Sequence, residues 1–302
     1  MNAIMKPGIP SKQTIERFPN PTPANDVLDA LLADGVVIIE DLISQEAVEQ
    51  INRELDPGLV GPQEGFQDDM VVGRTRRLNA IMKYSPTIAT EVVNHPMLID
   101  AAESVLSDYT DTLQLVAVAS EIAPGEEAQM LHRDDWNWGH IQTRTHPLSI
   151  FSIVALSEFT ATSGATRAVP GSHLWHDAYA ASTKKESWKD GVYEELSFPR
   201  GRYDDIAVPA SIRAGSAMMA LGTTVPGAGP NTTTDIFRLG LQIKYCVGWL
   251  RPTTNNFLLY PPEVAKTLPE PVQRLLGYQL EAKHIGMLEQ GVDPIELLRG
   301  HE

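Results

Sequence analysis

Apolar positions along this chain recur at two spacings, and the change from one to the other divides it. Val27, Leu28, Leu31 and Leu32 fall three to four residues apart, which predicts a helix from about Asn25 that Asp34-Gly35 ends. The β-branched run Val36-Val37-Ile38-Ile39 then predicts a strand. Ser44 at an N-cap position, with Glu46 in the first turn, marks a second helix running to about Leu55. Val92-Val93, Met97-Leu98, Ala101-Ala102 and Val105 supply two further helical segments separated by Pro96. From Thr112 the period becomes two: Leu113, Leu115, Ala117 and Ala119 alternate with Gln114, Val116 and Val118, as in a largely buried strand. Further strands are predicted over 148–159, 166–169, 217–221 and 237–250. A tail from Pro262 through Val272, Leu275 and Leu276 returns to helical spacing and is expected to pack outside the strands. The chain therefore reads as mainly β with flanking helices, and it carries no internal repeat.

The stretches between these elements differ in kind. Residues 1 to 24 are polar and rich in proline, which predicts an extended arm. Residues 56 to 75 are rich in Gly, Pro and acid and read as a loop able to lie over a site. Residues 176 to 208 form a polar, charged insertion too long for a simple connection. With 302 residues, the remainder from 25 to 302 is expected to form a single domain.

Charge and cysteine content narrow the partners. A formal charge of -15 repels phosphate backbones and anionic lipid, so no nucleic acid and no membrane surface is expected as a partner. The single cysteine, Cys246, excludes an internal disulfide and a multi-thiolate zinc site, and its apolar strand makes it a small buried hydrophobe. No apolar run reaches secretory or membrane-spanning length, and Arg299-Gly-His-Glu302 lacks a peroxisomal tripeptide, so a cytoplasmic location is the expectation.

Candidate chemistry concentrates at His132-Arg133-Asp134. On an extended backbone, side chains at i and i+2 share a face, so this imidazole and carboxylate can converge on one ion. They are two thirds of the 2-His-1-carboxylate triad that holds non-haem Fe(II). By itself His-x-Asp is weak, because charged turns produce it often.

The surrounding segments add to it. Ala128-Gln-Met-Leu131, Asp135-Trp-Asn-Trp138, the run from Ser163 to His173 and the run from Arg238 to Arg251 together resemble the phytanoyl-CoA dioxygenase family of Fe(II)/2-oxoglutarate oxygenases, in that family's order and from about Asp34 onward. The resemblance implies a double-stranded β-helix (jelly-roll, cupin-like) core, and it extends to fungal natural-product members of the meroterpenoid type. It implies His132 and Asp134 as metal ligands, Gln129 and Thr166 as polar contacts to 2-oxoglutarate, and Arg238 as the partner of the distal carboxylate. A guanidinium is a fixed fork suited to that pairing, with Phe237 and Leu239 taking the opposite face. The family's second histidine stands about a dozen residues before its basic residue, in a His-Gly-Ala-Gly-x-Asn turn. This chain reads Pro226-Gly-Ala-Gly-Pro-Asn231 there, twelve residues before Arg238, and proline cannot ligate iron. His140, His146 and His173 are the other histidines nearby; His173 reads as a residue that closes its turn, and His140 as a possible substitute ligand.

Two functions are compatible with this pattern. One is a degenerate oxygenase acting as the non-catalytic subunit of a dimeric oxygenase, paired with an active homologous subunit (a heterodimer) or with itself. The alternative is an active dioxygenase that oxidises a small apolar natural product through an atypical third ligand. Either way Fe(II) and 2-oxoglutarate are the cofactors the resemblance implies. The loop at 56–75, the insertion and the C-terminal helices are the expected contact surfaces.

Overall fold

The structure is a computed structural model that describes residues 12–59, 75–138, 146–175 and 201–300. Among the described residues ten strands form two sheets: β1 (Glu16–Pro19), β2 (Val36–Glu40), β3 (Thr75–Leu78), β4 (Leu113–Ile122), β5 (Ser149–Ala155), β6 (Thr166–Val169), β7 (Val208–Pro209), β8 (Ala217–Leu221), β9 (Val225–Ala228) and β10 (Arg238–Val247). The larger sheet runs β1-β2-β8-β5-β10-β4-β3 and the smaller runs β7-β6-β9. Among the described strands, every pairing except β1 with β2 is antiparallel. The two sheets face each other as in a jelly roll.

Strand periodicity assigns the two faces of the larger sheet. On β10 the odd residues Leu241, Ile243, Tyr245 and Val247 join the large outer core with helices α1 (Ala24–Asp34), α2 (Gln45–Leu55) and α3 (Pro96–Leu106). The even residues Arg238, Gly240, Gln242, Lys244 and Cys246 share the other face with Phe151 and Ala155, their register partners on β5 being Phe151 for Lys244 and Ala155 for Gly240. Phe151, Ala155, Met218 and Ala220 of that inner face pack against Ala165 and Ala168 beside and within β6. The inner face is thus where polar side chains of β10 are enclosed.

Local chemistry explains the helix ends. Ser44 Oγ accepts the N–H of Ala47 at 3.1 Å, capping α2 as its sequence foretold. Helix α1 ends at Gly35, which takes φ 76° and donates to Leu31 O at 2.8 Å. A Cβ there would lie 2.3 Å from His173 Nδ1, so only glycine fits. Pro96 is the first residue of α3 and follows a π-helical turn over Ile88–Val93. The tail adds four short helices, α4 (Asn256–Leu259), α5 (Pro262–Ala265), α6 (Glu270–Leu275) and α7 (Ile295–Arg299). Their Val272, Leu275, Leu276 and Ile295 complete the outer core, as the periodicity of the tail implied.

Three expectations change. Residues 16–19 of the presumed arm form β1, an edge strand parallel to β2, and Ile15 is buried in the inner core; the proline content masked a four-residue strand that tolerates proline at a sheet edge. Pro226-Gly-Ala228, read as a turn, belongs to β9 and pairs with Ala168, Arg167 and Thr166. The insertion expected over 176–208 ends earlier than its stated boundary, since Val208–Pro209 is β7 and pairs with β6. Residues 176–200 and 60–74 lie outside the described residues, as do residues 1–11 of the arm.

Candidate functional site

Strand β4 delivers the chain to a segment that runs beside β9 without forming a full strand. Gln129 N–H donates to Ala228 O at 3.0 Å, and His132 N–H donates to Pro226 O at 3.0 Å. The side-chain oxygen of Gln129 accepts the N–H of Ala228 at 3.1 Å. This edge-on docking brings Pro226, the position of the missing histidine, directly alongside His132.

The backbone at 132–134 then separates the side chains, although Asp134 already opens a 3-10 turn. His132 and Asp134 converge, with Nε2 3.2 Å from Oδ1. Arg133 points away, donating to the carbonyls of Ser172, at 3.0 Å, and Thr223, with its guanidinium 5.7 Å from the ring centroids of both Trp136 and Trp175. The chain leaves in a 3-10 turn, Asp134–Trp138, anchored by Asp135, whose carboxylate accepts Leu148 N–H and Ser149 Oγ–H, each at 2.7 Å. His132 is oriented from behind as ligating histidines are, its Nδ1–H donating to Met130 O at 3.0 Å.

The remaining contacts of Asp134 were not read from the sequence. Its Oδ2 lies 2.6 Å from Lys244 Nζ and accepts Gln242 Nε2 at 3.2 Å. Lys244 is only 4% exposed, and its ammonium lies 5.9 Å from the ring centroid of Trp138. Burial alone would raise the Asp134 carboxyl, but the Lys244 charge and the His132 contact outweigh it and hold the group well below the usual carboxylate range. A signal for Lys244 exists: it falls on the even positions of β10 with Arg238 and Gln242, and a lysine inside a strand buried on both faces requires a carboxylate partner.

Arg238 and Thr166 are brought together, Nη2 donating to the Thr166 hydroxyl at 3.0 Å. The guanidinium lies 3.6 Å from the Phe159 ring centroid, and Gly240 makes that possible, because a Cβ there would stand 2.7 Å from the ring. Arg238 Nε is buried without an acceptor, and no carboxylate among the described residues pairs with the group. Burial pushes its pKa down to about 9. This donor set fits a carboxylate ligand.

The donor set at His132 does not fit a resident iron ion. Two of three protein donors are present, the third position is Pro226, and one oxygen of the carboxylate is already bound to an ammonium. No group of three or more His, Cys, Asp or Glu residues among the described residues is placed to hold a metal. His146 stacks on Tyr109, with ring centroids 3.4 Å apart, and His173 Nε2 hydrogen-bonds to Leu32 O of α1 at 3.1 Å, tying its turn to that helix. His140 lies outside the described residues. Cys246 is buried and its thiol pushed up to about 12 by burial, so it is no nucleophile.

Facing sheets, a His-x-Asp beside the smaller one and a buried arginine opening the last long strand define the double-stranded β-helix oxygenase architecture. The chain belongs to the phytanoyl-CoA dioxygenase (PhyH) family, whose model matches residues 31–240. It is 28% identical over 292 residues to the multifunctional dioxygenase prhA of Penicillium brasilianum, covering 93% of this chain and 90% of that one. The Fe(II)/2-oxoglutarate-dependent dioxygenase nvfF of Aspergillus novofumigatus is 28% identical, with 89% and 87% covered. Among solved structures, the non-haem α-ketoglutarate-dependent carbocyclase SnoK from nogalamycin biosynthesis has the same fold, with a TM-score of 0.56 at 19% identity over 76% of this chain and 87% of that one. HygX of Streptomyces hygroscopicus, with nickel, 2-oxoglutarate and hygromycin B bound, gives 0.52 at 18% identity, over 74% and 86%. The chain is thus a PhyH-family protein resembling fungal natural-product oxygenases, whose relatives use Fe(II) and 2-oxoglutarate. Among the described residues, no helix is long and apolar enough to cross a membrane.

Proposed function

We propose that this chain is a degenerate Fe(II)/2-oxoglutarate oxygenase that serves as the auxiliary, non-catalytic subunit of a dimeric oxygenase in secondary-metabolite biosynthesis. The observation that carries this reading is the Lys244–Asp134 ion pair at 2.6 Å, in a site whose third donor position is Pro226. Arg238, Thr166 and Gln129 keep the polar lining expected of a 2-oxoglutarate pocket, so the scaffold has outlasted its metal site.

A subunit role gives such a scaffold a reason to persist. The C-terminal segment exposes Ile285, Met287, Leu288, Val292 and Leu297, an apolar surface outside the barrel of the kind that a subunit covers. The partner this reading favours is an active homologue with an intact metal triad, which would supply the chemistry on a small apolar substrate.

The test is metal content after anaerobic Fe(II) reconstitution, with turnover measured for the chain alone, for a co-expressed active homologue alone, and for the pair. The expected result is an iron-poor chain, a homologue whose turnover rises with the pair, and unchanged pair activity when His132→Ala is placed in this chain. Stoichiometric iron in the isolated chain, or loss of pair activity with His132→Ala, would return the reading to an active oxygenase with an atypical ligand.

A further inference from the structure

Each oxygen of Asp134 has a close polar neighbour. His132 Nε2 stands 3.2 Å from Oδ1, while Oδ2 takes Lys244 Nζ at 2.6 Å and Gln242 Nε2 at 3.2 Å. The lysine is 4% exposed, with the Trp138 ring at 5.9 Å beside its ammonium. A divalent cation taking Asp134 through Oδ1 would lie close to this buried ammonium, and one binding through both oxygens would have to displace it and leave it without its counter-ion.

We propose that Lys244 is a built-in cation that replaces the metal's charge at Asp134 and closes the site to divalent ions, independently of the ligand lost at Pro226. This rests on the non-catalytic reading above and extends it: two separate changes, not one, keep the centre free of metal. A missing ligand lowers affinity by subtracting a donor, whereas a resident ammonium lowers it by competition and like-charge repulsion. The two effects are separable, because Lys244 lies on β10 in the larger sheet and Pro226 on β9 in the smaller one. The register of β10 fixes the lysine in place: Lys244 sits opposite Phe151 on one side and Val116 on the other.

The test is a two-by-two substitution cycle on the full-length chain, read by anaerobic titration with Co(II), using calorimetry and the visible d–d bands of bound cobalt. The four proteins are the native chain, Pro226→His, Lys244→Met and the double variant, each checked for folding by circular dichroism. Methionine keeps the volume of the stem; if that variant does not fold, Lys244→Gln, whose amide can still donate to Asp134, takes its place. The inference expects Pro226→His alone to gain less than about tenfold and the double variant to gain at least about 100-fold more, the scale on which metal-site partners act. Pro226→His combined with Lys244→Arg, which keeps the charge, should bind no better than Pro226→His. Cobalt bound as tightly by Pro226→His as by the double variant would overturn the inference, and so would a folded double variant that gains nothing. Tight stoichiometric cobalt in the native chain would instead sink the non-catalytic reading itself, so the two failures are told apart.

Discussion

The guanidinium of Arg238 lies 3.6 Å from the centroid of the Phe159 ring, and its one hydrogen bond among the described residues goes to the Thr166 hydroxyl. A buried cation held by a ring face and one hydroxyl is short of an anion. 2-Oxoglutarate should therefore raise the melting temperature of the metal-free chain, by the equivalent of about 1.4 kcal/mol at ten times its Kd. Arg238→Met should abolish that rise while leaving the ligand-free protein at or above its native stability, because no ion pair is lost. A thermal-shift series with 2-oxoglutarate and glutarate checks this, and an undiminished shift in the variant would remove Arg238 from the pocket.

Asp134 and Lys244 are both nearly fully buried, so each depends on the other. Asp134→Asn strands the ammonium and should cost about 3–5 kcal/mol in urea unfolding, the range for breaking a buried pair from one side. Asp134→Asn with Lys244→Met removes both charges and should recover most of that loss. A single-variant cost under about 1 kcal/mol would mean the ammonium reaches solvent.

The legibility of this molecule was uneven for physical reasons. Long periodic segments were readable because one face of each is buried: β6 and β8 fall on the expected residues, and the Ser44 cap starts α2. β1 and β9 were not, since β1 is a short strand in a proline-rich stretch, β9 carries Pro226 and Gly227, and their pairing comes from the rest of the sheets. His132 and Asp134 were found through i, i+2 geometry, which is local. Lys244 is more than a hundred positions from Asp134, and the pairing of β10 with β4 and β5 brings it near. Its place among the inward residues of β10 was the available signal.

His173 and His95 are both kept neutral mainly by burial, which lowers their pKa below the ordinary 6.5. The unfolded chain then binds more protons than the folded one just below pH 6.5, so stability should rise as the pH climbs to the ordinary histidine range and flatten above it. His173→Gln should lower that slope, and adding His95→Gln should lower it further. Urea midpoints at several pH values measure it; a slope unaffected by both substitutions would mean that other groups carry the dependence.

Leu288, 39% exposed, and Leu297, 53% exposed, lie in the C-terminal segment, where an aspartate costs little in a free chain but much in a covered interface. If this segment meets a partner subunit, Leu288→Asp with Leu297→Asp should leave the isolated chain's melting temperature within a few degrees of native, because neither side chain is in the core. The same double substitution should weaken assembly at least about tenfold, since each carboxylate would be desolvated against apolar surface without a counter-charge. Light scattering on the co-expressed pair, and on this chain alone for self-association, reads the effect directly. Unaltered assembly with an unaltered melting temperature would move the interface off this segment, to the regions around 56–75 or 176–208.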